Sequence, residues 1–358
     1  MSKAEGDEMI ISISGVRLLR SVAGILLAGV IGLAASTVAA ESPTPVQAAD
    51  AGWLPGVNLA GGEFNSRGTR LHHDYTYPAP ESLDYYASQG MRVVRIPFRA
   101  NRVVQPMIAA ETRLNQPDMD ILTALIDEAA SRQIYVILDM HDYGRIFTAG
   151  LIGRDPGAAE EFAAAWGLIA RHVRDRPNVI FGLMNEPNRQ SAEEWLEGAN
   201  AAIAAIRQAG ASQLILVPGS YWSGAHSWVS TDNASVMLGV SDPEDNFAYE
   251  VHQYLDEDSS GTSPEVVVGA GSSRLAGFTE WAREHGVRGF LGEFGWADHP
   301  DAHAEGEALL AHMSDNRDVW IGWTYWAGGP WWGDYMFSVE PKNGEDRSQM
   351  RVLTGFVE

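Results

Sequence analysis

Cysteine is absent from the 358-residue chain. That excludes disulfides, thiol nucleophiles and thiolate-bound metal, so stability must come from the apolar core. Cationic side chains are also scarce: 25 Lys and Arg face 47 Asp and Glu, for a formal net charge of -22. A polyanionic partner would be repelled, which excludes nucleic acid and anionic membranes and leaves a neutral ligand such as a polysaccharide. No Gly-x-Gly-x-x-Gly fingerprint follows the first strand candidate, and no Gly-x-Ser-x-Gly elbow occurs. Both absences argue against a dinucleotide-binding open sheet and an esterase. There is no internal repeat, no long linker and no second domain.

What is present suits one large domain behind a leader. Arg17 and Arg20 precede an apolar run over residues 22–35, and Val38-Ala39-Ala40 supplies small residues for cleavage. Residues 1–40 are therefore expected to be a signal peptide, with Met9 as an alternative start that would drop Glu5, Asp7 and Glu8. A membrane anchor is the competing reading, because residues 22–40 almost reach the ~20 needed to span a bilayer. The polar, Pro-containing stretch that follows favours cleavage. Residues 41–50 read as a short tether and 51–358 as the catalytic domain. The expected protein is secreted, extracellular or periplasmic, and monomeric.

From Trp53 onward short apolar runs alternate with helix-period segments. Strands are expected at 56–60, 93–98, 135–141, 180–185, 214–218, 247–254, 289–294 and 320–326. Helices are expected at 119–132, 160–174, 192–209, 273–284 and 302–315. Eight strands with intervening helices predict an α/β fold, a single (β/α)8 TIM barrel.

In that register the polar residues at the strand ends converge on the C-terminal mouth, where such barrels keep their chemistry. Arg95 lies in strand two, His141 ends strand three, and Asn185 with Glu186 ends strand four. His252 and Tyr254 end strand six, Glu293 ends strand seven and Trp326 ends strand eight. Any one of these has a structural explanation. Six strand ends together do not, since burying each group unpaired costs about 1–3 kcal/mol. Two glutamates on apolar strands suit glycoside hydrolysis, which needs an acid for the leaving oxygen and a carboxylate on the other face of the sugar. Arg95 and Tyr254 are expected to hold Glu293 ionised, with a lowered pKa, as nucleophile. Glu186, with no cation beside it in sequence, is expected to keep a raised pKa and act as acid then base, its proton affinity modulated by His252. Asn185 is expected to bond the sugar 2-hydroxyl.

The set Arg95, His141, Asn185-Glu186-Pro187, His252-x-Tyr254, Glu293-Phe294-Gly295 and Trp326 resembles the catalytic set of glycoside hydrolase family 5. The strings Tyr249-Glu250-Val251-His252-Gln253-Tyr254-Leu255-Asp256 and Gly329-Pro330-Trp331-Trp332-Gly333-Asp334-Tyr335 are similar to the endoglucanase subfamily that includes fungal type II endoglucanases. The resemblance covers residues 56–340. It implies an endo-β-1,4-glucanase that retains configuration, with carboxyl groups about 5–5.5 Å apart and no cofactor or metal. It also implies that Trp326 floors the cleaved-sugar subsite. The chain departs from fungal relatives in lacking cysteines and an appended cellulose-binding module, so crystalline cellulose is not its expected substrate.

Trp331 and Trp332 after strand eight, and Trp222 and Trp228 after strand five, are candidates to extend an aromatic platform for a β-linked chain. Trp195 and Trp281 lie in helical patterns and read as packing. Trp296 and Trp332 are equally well read as barrel caps. His72-His73-Asp74 has ligand-type residues, but adjacent loop positions do not face one ion. The run from Asp256 to Gly261 lacks the spaced oxygens of a calcium loop. A mannanase, xyloglucanase or mixed-linkage glucanase shares the catalytic set and stays open. A non-catalytic glycan-binding barrel would have lost one carboxylate, and a metal-dependent hydrolase would be inactivated by a chelator.

Overall fold

The computed structural model describes residues 43–108, 111–147 and 150–358, and the expected leader, residues 1–40, lies outside them. Eight parallel strands close into a barrel: β1 (Leu54–Leu59), β2 (Val93–Phe98), β3 (Tyr135–Met140), β4 (Val179–Gly182), β5 (Ile215–Pro218), β6 (Phe247–His252), β7 (Gly289–Glu293) and β8 (Trp320–Gly328). Each pairs with its sequence neighbours, and β8 closes onto β1 with Leu54 opposite Gly322. Helices follow in turn: α1 (Pro80–Ser88), α2 (Gln116–Ser131), α3 (Ala158–Val173), α4 (Ala192–Gln208), α5 (Asn233–Val236), α6 (Ala270–His285), α7 (Pro300–Asp315) and α8 (Ser348–Leu353). The fold is the (β/α)8 barrel expected from the sequence.

The differences are local. Helix α1 has no long apolar stripe, since it buries only Leu83 and Tyr86, and α5 and α8 are too short to show a period. Strand β4 ends at Gly182 rather than 185. Beyond it Leu183 and Asn185 still donate to Leu216 and Met140 carbonyls at 3.1 and 2.8 Å, but Glu186 turns into the left-handed region at φ 45 before Pro187. Such strain on a non-glycine residue persists only where its surroundings fix it.

Helix α4 shows how the shell is built. Ser191 caps its start, accepting from Glu194 N at 3.2 Å while the Glu194 carboxylate accepts from Ser191 N at 2.8 Å. From that capped end Trp195, Ala199, Ala202, Ile203 and Ile206 line one buried face.

Inside the barrel, side chains change character with height. At the N-terminal end Leu54, Val93, Ile137, Ile180, Leu216, Ala248, Phe290 and Ile321 form one apolar cluster, joined by Val46 and Ala48. The described part of the stretch expected as a tether is thus packed against the barrel floor. Asn246 fixes it, accepting from Ala48 N at 2.8 Å and donating to the Val46 carbonyl at 3.0 Å. Two residues further along the same inward period stand Arg95, Asp139 and Glu250. The floor is dry and the mouth is charged.

Candidate active site

Arg95 is fully buried and contacts three acids at once. Its Nη1 lies 2.9 Å from Glu293 Oε1 and 3.0 Å from Asp139 Oδ2, and its Nε lies 3.0 Å from Glu250 Oε1. Nη1 also donates to Asn58 Oδ1, and Nη2 to Asn185 Oδ1, both at 2.9 Å. Burial alone would favour a neutral Arg95, but Asp139, Glu250 and Glu293 together hold its pKa above the ordinary value. Breaking up such a buried cluster by removing one partner typically costs about 3–5 kcal/mol.

Glu293 closes β7, where Tyr254 donates its hydroxyl to Oε2 at 3.1 Å. Burial and the Glu293 charge keep the Tyr254 proton in place well beyond the usual range, so Tyr254 remains a donor. The pairings expected from strand position are present, but the expected lowering of Glu293 is not. Burial pushes its carboxyl up, outweighing His252 and Arg95, which pull down. The physical reason is the removal of the carboxylate from water at the barrel mouth, to which the nearby Glu186 charge adds.

Glu186 is partly exposed, with His252 Nδ1 2.9 Å from its Oε1. His252 reaches Glu293 Oε2 at 3.7 Å with the same nitrogen and Glu250 Oε1 at 3.3 Å with Nε2. Burial opposes a charge on this ring, yet Glu293, Glu186 and Glu250 together push it up to about 10. Glu186 therefore has a cationic neighbour 66 residues away in sequence. His141 is the opposite case: burial holds it down at about 3, so it is neutral, with Nδ1 2.7 Å from Asp139 Oδ2. One oxygen of Glu186, one nitrogen of His252 and one oxygen of Glu293 all lie within 4.8 Å of one another. A metal there would displace the proton of His252 and face the Arg95 cation, so the cluster reads as a proton-transfer site.

The aromatic residues divide. Trp326 stacks on His141 with centroids 5.6 Å apart and an interplanar angle of 20°. Its peptide bond to Ala327 is cis. Trp222 is 54% exposed and Trp331 is 40% exposed. Trp222 N donates to Pro187 O at 3.0 Å, which ties its backbone to the residue after Glu186. Trp228 does not join it: it is buried against Tyr249, Phe278 and Trp281. Trp332 donates to Gly328 O and stacks on Tyr335, bracing the loop. Trp195, Trp281 and Trp296 are core. The Asp74 carboxylate is engaged by Arg70, His73 and nearby backbone N–H groups, and Asp256 accepts backbone N–H from Gly261, Thr262 and Ser263.

Five site residues were not singled out by the sequence: Asn58, Glu63, Asp139, Tyr143 and Glu250. Tyr143 approaches His141 Nε2 at 3.3 Å and faces Trp222 edge-on at 6.2 Å. Asp139 and Glu250 each stand two residues before a histidine that was recognised, so extending the inward period back by one step would have found them. Burial raises Asp139 to about 7, whereas Arg95 and His252 overcome burial and lower Glu250. Glu63 is buried in the loop after β1, accepting from Gly61 N at 2.8 Å. Burial lifts it from 4.5 to about 7, with Asp139 and Glu293 adding to the rise. Between those values the folded chain keeps a proton that the unfolded chain has released, so stability should fall as pH rises through that window. Glu63→Gln is expected to flatten part of the fall in melting temperature between pH 4.5 and 7, leaving the share due to Asp139. An unchanged slope would contradict the buried-carboxyl account.

Residues 57–329 match the model of the Cellulase family, glycosyl hydrolase family 5. The chain belongs to that family. Endoglucanase gh5-1 of Neurospora crassa is 38% identical over 293 residues, covering 81% of this chain and 73% of that protein. Endo-beta-1,4-glucanase A of Emericella nidulans is 36% identical over 296 residues, covering 82% and 88%. Among solved structures, an endo-beta-1,4-glucanase of Xanthomonas axonopodis pv. citri superposes with a TM-score of 0.81 at 43% identity, covering 85% of this chain and 99% of that one. XacCel5A in complex with cellopentaose gives 0.81 at 42% identity, covering 85% and 98%. This cellulase-family chain thus has the barrel and the paired glutamates expected from its sequence.

Proposed function

We propose that this chain is an endo-β-1,4-glucanase that cleaves internal bonds of β-glucans by a retaining double displacement. The observation that carries this reading is the approach of Glu186 and Glu293, oxygen to oxygen, within 4.8 Å. Retaining enzymes hold their carboxyl groups about 5–5.5 Å apart, whereas inverting ones leave about 6.5–9.5 Å for a water between them. The names of the relatives and the cellopentaose bound to XacCel5A support the substrate class.

Glu293 attacks the anomeric carbon as its bond to the leaving oxygen breaks, and the proton held between Glu186 and His252 passes to that oxygen. Water then enters from the leaving side, gives a proton back to Glu186 and displaces Glu293. Donors fix the nucleophile from two directions, Arg95 on Oε1 and Tyr254 on Oε2. Asn185 spends its oxygen on Arg95, which leaves Nδ2 to donate to a sugar 2-hydroxyl. Trp326, backed by neutral His141, forms an apolar floor against which a pyranose stacks. These steps need no cofactor or metal.

Trp222, tied by its backbone to the residue after Glu186, and Trp331, in the loop after β8, are the exposed rings that would extend the floor formed by Trp326. Trp222→Ala and Trp331→Ala should each raise KM for a cellohexaose-length substrate about tenfold with little change for a short aryl cellobioside, since losing one stacked ring costs about 1–1.5 kcal/mol. Equal effects on both substrates would remove these residues from the platform.

Export after removal of residues 1–40 belongs to the same proposal, with the enzyme acting as a monomer outside the cytoplasm. Among the described residues no helix is long and apolar enough to cross a membrane. The test of function is release of reducing ends from carboxymethylcellulose, barley glucan and mannan. Preference for the first two is expected. Mannan as the best substrate would replace the glucanase reading with a mannanase, and no release from any β-glycan would end the enzyme reading.

A further inference from the structure

Building on the roles given above to Glu186 and Glu293, we propose that Glu250 is a positioning residue that couples the two carboxylates through Arg95 and His252. Glu250 stands on β6, two residues before His252, and is 1% exposed. Its Oε1 lies 3.0 Å from Arg95 Nε and 3.3 Å from His252 Nε2. One oxygen therefore touches two cations, and each cation continues to a different carboxylate. Arg95 Nη1 reaches Glu293 at 2.9 Å, and His252 Nδ1 reaches Glu186 at 2.9 Å.

The backbone around the nucleophile is shaped to admit this oxygen. A Cβ at Gly292 would stand 2.1 Å from Glu250 Oε1, so a larger residue before Glu293 would have to push this carboxylate away from Arg95 and His252. Its carbonyl is held from the other side by Asn58 Nδ2 at 2.9 Å and Thr324 Oγ1 at 2.6 Å. The glycine cannot withdraw without disturbing β7.

The consequence is a fixed tautomer. With Nε2–H directed at Glu250, His252 exchanges its proton only at Nδ1, toward Glu186. The proton leaves Nδ1 for Glu186 Oε1, or returns, while the Nε2–H bond is unchanged. The reverse tautomer would set a bare Nε2 against a carboxylate oxygen at 3.3 Å, two acceptors without a proton between them. In serine proteases a buried carboxylate orients its histidine in the same way. The charges facing this unit are Arg95 from β2, Asp139 from β3, Glu186 after β4 and Glu293 from β7. Arg95 and His252 keep Glu250 below its ordinary range, so it stays ionised while the proton moves.

Two measurements test this. In the wild-type protein, 15N–1H NMR of His252 should show Nε2 protonated in both charge states and Nδ1 as the site of titration. A neutral form with its proton on Nδ1 overturns the proposal, whether or not the protein hydrolyses any glycan. Glu250→Gln keeps an acceptor oxygen but removes the charge. It should lower kcat about 10- to 100-fold, a part of the roughly 100- to 10,000-fold that positioned acid–base catalysis supplies, with KM within about twofold. It should also move the alkaline limb of kcat/KM about one pH unit toward acid, because the imidazolium loses a nearby anion. A folded Glu250→Gln protein whose limbs do not move overturns the proposal, since a purely structural residue scales the rate without shifting the profile. Failure of the glucanase reading itself would appear instead as wild-type inactivity.

Discussion

Glu293→Gln is expected to lower kcat on carboxymethylcellulose by about 10,000-fold or more, a loss in keeping with removal of a unit that acts by covalent catalysis. The amide keeps the size of the carboxylate, and Arg95 keeps Asp139 and Glu250, so circular dichroism and the melting profile should show a folded protein. The variant cannot form a glycosyl-enzyme ester. Glu293→Gly opens the same face to a small anion. With an aryl cellobioside as substrate, added azide should restore turnover and yield the α-glycosyl azide, inverted relative to the substrate. Residual activity within tenfold of wild type would remove Glu293 from the nucleophile role.

Glu186→Gln should be nearly as damaging on polysaccharide, about 1,000-fold or more, but its pattern should differ. A leaving group that needs no proton, such as dinitrophenolate, should recover much of the first step, because only the acid has been lost. The alkaline limb of the pH profile should vanish with it. Azide should again accelerate turnover of Glu186→Ala, this time giving the β-glycosyl azide, since attack on the covalent intermediate retains the starting configuration. Identical azide stereochemistry in the two variants would contradict the division of labour. Together the pair assigns each carboxylate by product rather than by rate alone.

Much of this site was legible in the sequence, for a reason visible at the strand ends. Glu186, His252 and Glu293 interrupt apolar runs where a packed core would not tolerate them, and the barrel register then brings them together. Arg95 with Glu293 and Tyr254 with Glu293 followed from that register alone. Asp139 and Glu250 were hidden because they sit inside the strands, where a single polar residue looks like ordinary alternation. The direction of the Glu293 shift was not legible because burial sets it, and strand position names the partners of a carboxylate without saying how far it is removed from water. Trp228 was misplaced because exposure after β5 depends on turns at Tyr221–Ser223 and Trp228–Ser230 that no periodicity reveals. Residues 43–50 look like a linker by composition, but Val46 and Ala48 are apolar and close the floor.

The contacts of Arg95 also bear on how such a protein can diverge. One guanidinium serving Asp139, Glu250 and Glu293 leaves no member free to drift alone, and a lysine, with one charged point in place of a planar fork, cannot replace it. Natural variation and directed evolution should therefore find the mouth of the barrel inherited as a block. New substrate ranges are to be sought at the rim, around Trp222 and Trp331, where a side chain can change without three others having to change with it.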